Sequence, residues 1–308
     1  MLRRVSRAVF YLGLFFLPLI FWRGIGDGYE FPKILFFERW VELLTLLVVI
    51  DYFLSKRVLK LNFFLIVLLL TFFLWNLVAS WLGVDFTRSL FGIYWRWQGL
   101  ITLLHYSLLA MVVLILKPSA QRAAQVLVTS ALMECLYLLG LIFAKWLWDL
   151  PIYLYLGRAV GTFGNPDYLA GFLAICLPFC FYLRNKVVRT ISFWFLIGGV
   201  ILAASRGAIL AMSLAGLIIG TIYVFRSKFK QLAFFLGLLL IVSSLVAVVF
   251  IRLDVNKFNT LESRERIYVR GLLAWVAKPI LGYGLENYEL AVSKIDYLKK
   301  VRPEYEVK

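Results

Sequence analysis

The chain has 308 residues, 63% hydrophobic and 17% aromatic, with a mean hydropathy of +0.88, a composition that excludes a soluble globular domain. The formal net charge of +16 sits in short basic groups between apolar runs, which fits lipid headgroups and membrane orientation and weighs against nucleic acid as a partner. Cys135, Cys176 and Cys180 all lie in apolar segments without a CxxC or Cys/His grouping, so they read as small packing residues, and no metal or cofactor motif accompanies them.

In chain order, Met1 to Arg7 form a basic head before an apolar run from Ala8 to Trp22. No small-residue cleavage site follows, only Arg23-Gly24-Ile25-Gly26-Asp27, so the run reads as an uncleaved, short first span. Further apolar runs of spanning character occur at Ile34–Leu54, Leu61–Leu82, Gly99–Leu116, Ala123–Trp148, Tyr168–Leu183, Thr190–Ser205, Gly207–Phe225 and Leu232–Ile251. The expected fold is therefore all-α, a polytopic transmembrane bundle of about nine spans. Residues 1–251 form the multi-span domain and 252–308 a partly helical external segment.

The basic residues orient this bundle. Arg3, Arg4 and Arg7; Lys56, Arg57 and Lys60; Lys117 and Arg122; Arg184, Lys186 and Arg189; and Arg226, Lys228 and Lys230 all fall on alternate ends, in connections without Asp or Glu. Lys and Arg are retained on the cytoplasmic side, so the opposite loops, which carry Asp27, Glu30, Asp85, Asp149 and Asp167, face outward. The expected orientation has the N-terminus cytoplasmic and the C-terminal segment external.

Outward cations then need a reason. Arg158 precedes Gly161, Gly164 and Asn165-Pro166-Asp167, a loop running into a helix start with Pro in the first turn and an acidic residue near the positive end of the dipole. Gly-rich backbone, a guanidinium and a helix N-terminus suit an anionic group such as phosphate, while contact of Arg158 with lipid headgroups is the alternative. Arg206, in the tight break Ser205-Arg206-Gly207, is costly in hydrocarbon and is more readily explained by function than Lys145 or Arg39. Tyr94-Trp95-Arg96-Trp97 fits an interfacial aromatic belt. Within the second span Arg39 and Glu42 are three apart on one face and read as an ion pair beside Glu38, or as the lining of a cavity. Glu134 is more central, with Lys145 or an Arg elsewhere as its expected answer. His105, the single histidine, reads as a hydrogen-bonded packing residue rather than a base. From Leu261 to Trp275 the tail reads as an amphipathic helix capped by Ser263 and ended at Lys278-Pro279, with Arg264, Arg266 and Arg270 toward its polar side or on headgroups.

Taken together, Arg96-Trp97-Gln98-Gly99, Arg158 through Ala170, Ser205-Arg206-Gly207 and Arg264 through Gly284 (with Pro279-Ile280-Leu281-Gly282-Tyr283-Gly284) resemble motifs of the O-antigen ligase and polymerase superfamily, in that family's order. Family members usually carry Asn where this chain has Asp167. The resemblance implies a glycosyltransferase of the bacterial plasma membrane that moves a glycan from an undecaprenyl-pyrophosphate carrier to an acceptor hydroxyl at the outer face of that membrane, by an inverting displacement without cofactor. It assigns the pyrophosphate to Arg158, Arg206 and Arg264, with Arg266, Arg270 and Arg96 as further candidates, and the loop backbone to Gly161, Gly164, Asn165 and Asp167. It also implies a His-Asn pair beyond the Gly-x-Gly turn followed by more spans. No such pair precedes Lys308, so the expectation is an incomplete chain that binds lipid-linked glycan without turnover. A polymerase is the near alternative. A polytopic transporter or lipid-binding component, its pathway lined by Glu38, Arg39, Glu42 and Glu134, is the distant one.

Overall fold

The computed structural model describes residues 2–22, 24, 27–55, 62–94, 96–149, 154–155, 158–226 and 258–301, with the backbone alone at 154–155, 159, 217–226, 258–265 and 295–301. Among the described residues the regular structure is helical apart from one antiparallel pair of two-residue strands. The apolar runs expected to be helical are helices α1 (Leu2–Phe16), α2 (Glu30–Ser55), α3 (Phe63–Trp81), α5 (Leu100–Leu116), α6 (Ala120–Trp148), α7 (Pro166–Cys176, extended by a 3-10 turn Leu177–Tyr182), α8 (Lys186–Leu202) and α9 (Arg206–Arg226). A short α4 (Phe86–Phe91) and two tail helices, α10 (Phe258–Ala277) and α11 (Tyr288–Val301), complete the described elements. The run Leu232–Ile251 lies outside the described residues. Among the described residues, α3 and α6 are long and apolar enough to cross a membrane.

Two compact units form: Met1–Gly13, Gly24–Pro118 and Asn259–Lys308 make one, and Leu14–Arg23 and Ser119–Phe258 the other. In the first unit, α2 packs along α5. The polar groups in this packing answer one another: Thr102 donates to Glu38 at 3.2 Å, Arg39 pairs with Glu42 at 2.7 Å, and His105 Nε2 lies 3.2 Å from Glu42. His105 Nδ1 meets the Ile101 carbonyl at 2.8 Å, so the histidine is a packed, hydrogen-bonded group as its isolation in the sequence implies. At the other end of α5, Arg3 and Arg7 donate to the Ile115 and Leu116 carbonyls at 2.9–3.1 Å, satisfying helix-end acceptors with cations. Helix α3 begins on an Asn62 cap and is apolar on every side, yet its side chains stand outward, Phe63 at 79% and Trp81 at 70% exposed. An all-round apolar helix that the protein covers only in part suits hydrocarbon.

The tail docks on the segment that follows α3. Val84 N–H donates to Tyr283 O at 3.0 Å, Leu285 N–H to Ser80 Oγ at 3.3 Å, and Ser89 Oγ to Leu285 O at 2.9 Å. Fully buried Asn287 directs its amide Nδ2 at Asp85 O, Ser89 Oγ and Tyr283 O, all within 2.9–3.1 Å, and Arg88 pairs with Glu289 at 2.6 Å. Gly284, at φ +88°, permits this approach, because a Cβ there would stand 2.9 Å from Ser89 Oγ. Replacing Asn287 by Ala strands these acceptors and is expected to cost about 2 kcal/mol, read as faster proteolysis of the tail after residue 277 with the rest of the chain intact.

In the second unit α6, α7, its 3-10 extension and α8 share a core of Val128, Ala131, Cys135, Leu138, Leu169, Leu173, Cys176, Cys180, Leu196 and Val200. The three cysteines are buried and free. Gly199 brings α8 close, since a Cβ there would lie 2.6 Å from Cys135 Sγ and 2.8 Å from Leu173. One expectation changes: α10 begins at Phe258, ahead of the Ser263 expected to cap it, because 258–262 contains no Gly or Pro to stop a helix propagating backward.

Candidate functional site

The site is built from a loop and a helix break in the second unit. Leu154–Tyr155 and Arg158–Ala159 pair antiparallel, so Arg158 leaves a minimal hairpin opposite Tyr155. The chain then turns through Gly161 (φ +55°) and Gly164 (φ +66°), left-handed conformations that an L side chain adopts with strain. Asn165 is extended and caps α7, its Oδ1 accepting from Asp167 N–H at 2.8 Å, and Pro166 takes the first helical turn, as its sequence context implies. Asp167 lies at the positive end of that helix and pairs with Arg158 Nη1 at 3.2 Å. The same Nη1 donates to Ala204 O at 3.4 Å. Ala204 has φ +49° in the break before α9, and buried Ser205 accepts from Ala208 N–H at 3.4 Å. Arg206 follows directly and is half-buried. Arg158 is thus tied to the turn that carries Arg206, which brings these two sequence-predicted cations to one end of the unit.

The peg under this loop was not anticipated from the sequence. Glu134, fully buried in α6, accepts from Thr162 N–H at 2.6 Å, and its Oε2 lies 2.8 Å from Thr162 Oγ1. Thr162 Oγ1 is also 2.8 Å from Pro18 O. Gly161 is required beside it, because a Cβ there would sit 2.0 Å from Glu134 Oε1. Lys145, a partner expected for Glu134, instead pairs with Asp149 at 3.5 Å. The only sequence signal for this peg was a carboxylate in an apolar run with a Gly-Thr turn further along, a pairing that local periodicity does not reveal.

The remaining candidates belong to the first unit. Arg96 is exposed near Glu30, whose carboxyl burial and Asp27 push up from its ordinary range while Arg96 and Lys33 pull it down. Arg266 and Arg270 are exposed on α10, and Arg264 lies on the same helix, its side chain outside the described atoms. Asn287, three residues past Gly284 of the Gly282-Tyr283-Gly284 turn, is the organiser of the tail that sequence reasoning missed; its place just after a Gly-x-Gly turn was the available signal.

The described residues thus combine two apolar helices of membrane-spanning length with a guanidinium, that of Arg158, held beside the start of α7. Residues 191–306, somewhat over a third of the chain, match the family described as O-antigen ligase, so this part of the chain is similar to that family. Arg206 and the Arg264–Gly284 stretch fall inside this match, and Arg96 and Arg158 precede it. No curated protein matches the chain, and no solved structure matches it.

Proposed function

We propose that this protein acts as an O-antigen ligase-type glycosyltransferase, taking a glycan from an undecaprenyl-pyrophosphate carrier to an acceptor hydroxyl at the outer face of a bacterial plasma membrane, with a polymerase as the near alternative. The observation that carries this reading is the tie of Arg158 to the turn ahead of Arg206, found in a chain with an O-antigen ligase match. Pyrophosphate leaving from a sugar develops charge, and guanidinium groups stabilise it by bidentate, charge-assisted hydrogen bonds. Arg158 and Arg206 take that role, Arg264 is the third candidate, and Arg266, Arg270 and Arg96 are further ones. Gly161, Gly164 and Asn165 shape the loop around them. Buried His105 takes no part, since both its ring nitrogens face groups inside the helix packing.

The membrane arrangement belongs to the same proposal: about nine spans within residues 1–251, an external 252–308 segment and a cytoplasmic N-terminus. Its support within the first unit is that Arg3 and Arg7 hold the end of α5 next to Lys117, gathering basic residues assigned to one side. The tail likewise docks on residues 80–89, assigned to the other side.

The test is binding of undecaprenyl pyrophosphate to the reconstituted chain. Arg158→Gln, Arg206→Gln and Arg264→Gln are each expected to weaken binding about tenfold, while Arg39→Gln leaves it unchanged. Equal and negligible losses at all the positions would sink the reading.

A further inference from the structure

We infer that helix α10 is an interfacial helix that lies on the phospholipid bilayer through an exposed apolar stripe, presenting Arg266 and Arg270 away from the lipid. Tyr268, Leu272, Trp275 and Val276 follow one another at the i, i+4, i+7, i+8 spacing of a single helical face, and they are 74%, 60%, 58% and 63% exposed. A second face is already used. Gly271 approaches the Tyr288 ring, where a Cβ would come within 3.3 Å, Tyr288 Oη donates to Ile267 O, and Ala274 packs with Ala291. The apolar stripe is therefore what remains after α10 has packed against α11. Arg266 and Arg270, one turn apart, centre roughly 150° around the helix from that stripe.

Position selects the occupant. The turn between α10 and α11 is hydrogen-bonded to Ser80, Val84, Asp85 and Ser89, which come directly at and after the end of α3. Helix α3 is a membrane-length helix whose apolar side chains stand outward, so its end marks the headgroup level. Helix α10 ends at Ala277, six residues before the docked Tyr283, which keeps its C-terminal end, with Trp275 and Val276, near that level. A stripe of Tyr, Leu, Trp and Val with Arg on the opposing face is the composition that binds in the interface plane, Trp and Tyr settling at headgroup depth. A bilayer at hand and an amphipathic helix fixed at its surface make lipid the occupant, rather than a protein partner.

This inference rests on α3 crossing the membrane and is independent of glycosyl transfer. It is tested on the full chain in vesicles of phosphatidylethanolamine and phosphatidylglycerol, with nitroxides on single introduced cysteines; the native ones are buried. Tyr268→Cys, Leu272→Cys and Val276→Cys are expected to be relaxed more by oxygen than by an aqueous nickel chelate, and Arg266→Cys and Arg270→Cys the reverse. Leu68→Cys on α3 is the control and should be the most oxygen-accessible. If Leu68 responds to oxygen but the stripe responds to the nickel chelate, or to neither reagent as under a protein partner, the interfacial helix is overturned. If Leu68 itself is not lipid-exposed, the membrane reading fails first and takes this inference with it. Tyr268→Cys alone changes only one of the stripe residues, so agreement among the three positions guards against local unfolding at any one.

Discussion

Glu134→Ala is expected to destabilise the second unit by about 2 kcal/mol, whereas Glu134→Gln costs well under half of that. Removing the carboxylate strands the Thr162 N–H, which Glu134 meets at 2.6 Å, in a site where both residues are buried. An unpaired buried donor carries a penalty of about 1–3 kcal/mol, while relief of a desolvated carboxylate works the other way and keeps the net near the middle of that range. Gln keeps a carbonyl oxygen for the N–H. Its amide can donate to Thr162 Oγ1, leaving the single hydroxyl proton for Pro18 O at 2.8 Å. Thermal unfolding of the reconstituted protein reads the difference, and an Ala variant as stable as the Gln variant would show that the peg contributes nothing.

Gly161→Ala probes the same peg from the other side. The new methyl meets Glu134 Oε1 at 2.0 Å and is held at φ +55°, so it should cost more than the ~1–2 kcal/mol of a left-handed Ala alone. In a Glu134→Ala background the steric part disappears and only the backbone part remains. The two substitutions should therefore be less than additive, with a coupling of about 1 kcal/mol. Simple additivity would mean that the loop relaxes away from Glu134 and is not held by it.

The second large effect concerns anion affinity. Arg158→Gln is expected to weaken undecaprenyl-pyrophosphate binding about tenfold, and Asp167→Asn to strengthen it by about two- to fivefold. Asp167 is the nearest anion to Arg158, at 3.2 Å, and both side chains are partly exposed, 26% for Arg158 and 41% for Asp167. A solvent-screened pair of this kind is worth about 0.5–1 kcal/mol, which an incoming phosphate must replace. Asn retains the size of Asp but releases the guanidinium. It also gives up a favourable charge at the start of α7, worth about 0.3–1 kcal/mol, so the variant should bind more tightly while melting slightly earlier. Opposite signs in binding and stability separate this account from general loosening of the loop. Should Asp167→Asn bind the carrier more weakly, the carboxylate is a ligand-side group and Arg158 is not the anion's first contact.

Composition and periodicity alone were enough for the helical class and for the places of the long apolar helices among the described residues, though not for α4 or α11, because apolar runs of spanning length leave a chain few other ways to satisfy its backbone. The start of α7 was legible for a local reason: Asn165-Pro166-Asp167 holds its cap, its first turn and its dipole partner within three consecutive residues. The Arg39–Glu42 pair was legible because its partners are one turn apart on the same helix. The tertiary structure alone decided that Glu134 supports Thr162, that Arg158 reaches Ala204, and that Asn287 fastens the tail to the segment after α3. Each of these bonds joins residues 28 to 202 positions apart. Helical spacing reports only which face of its own helix a residue occupies, and which distant backbone group arrives opposite that face is set by the packing of whole helices.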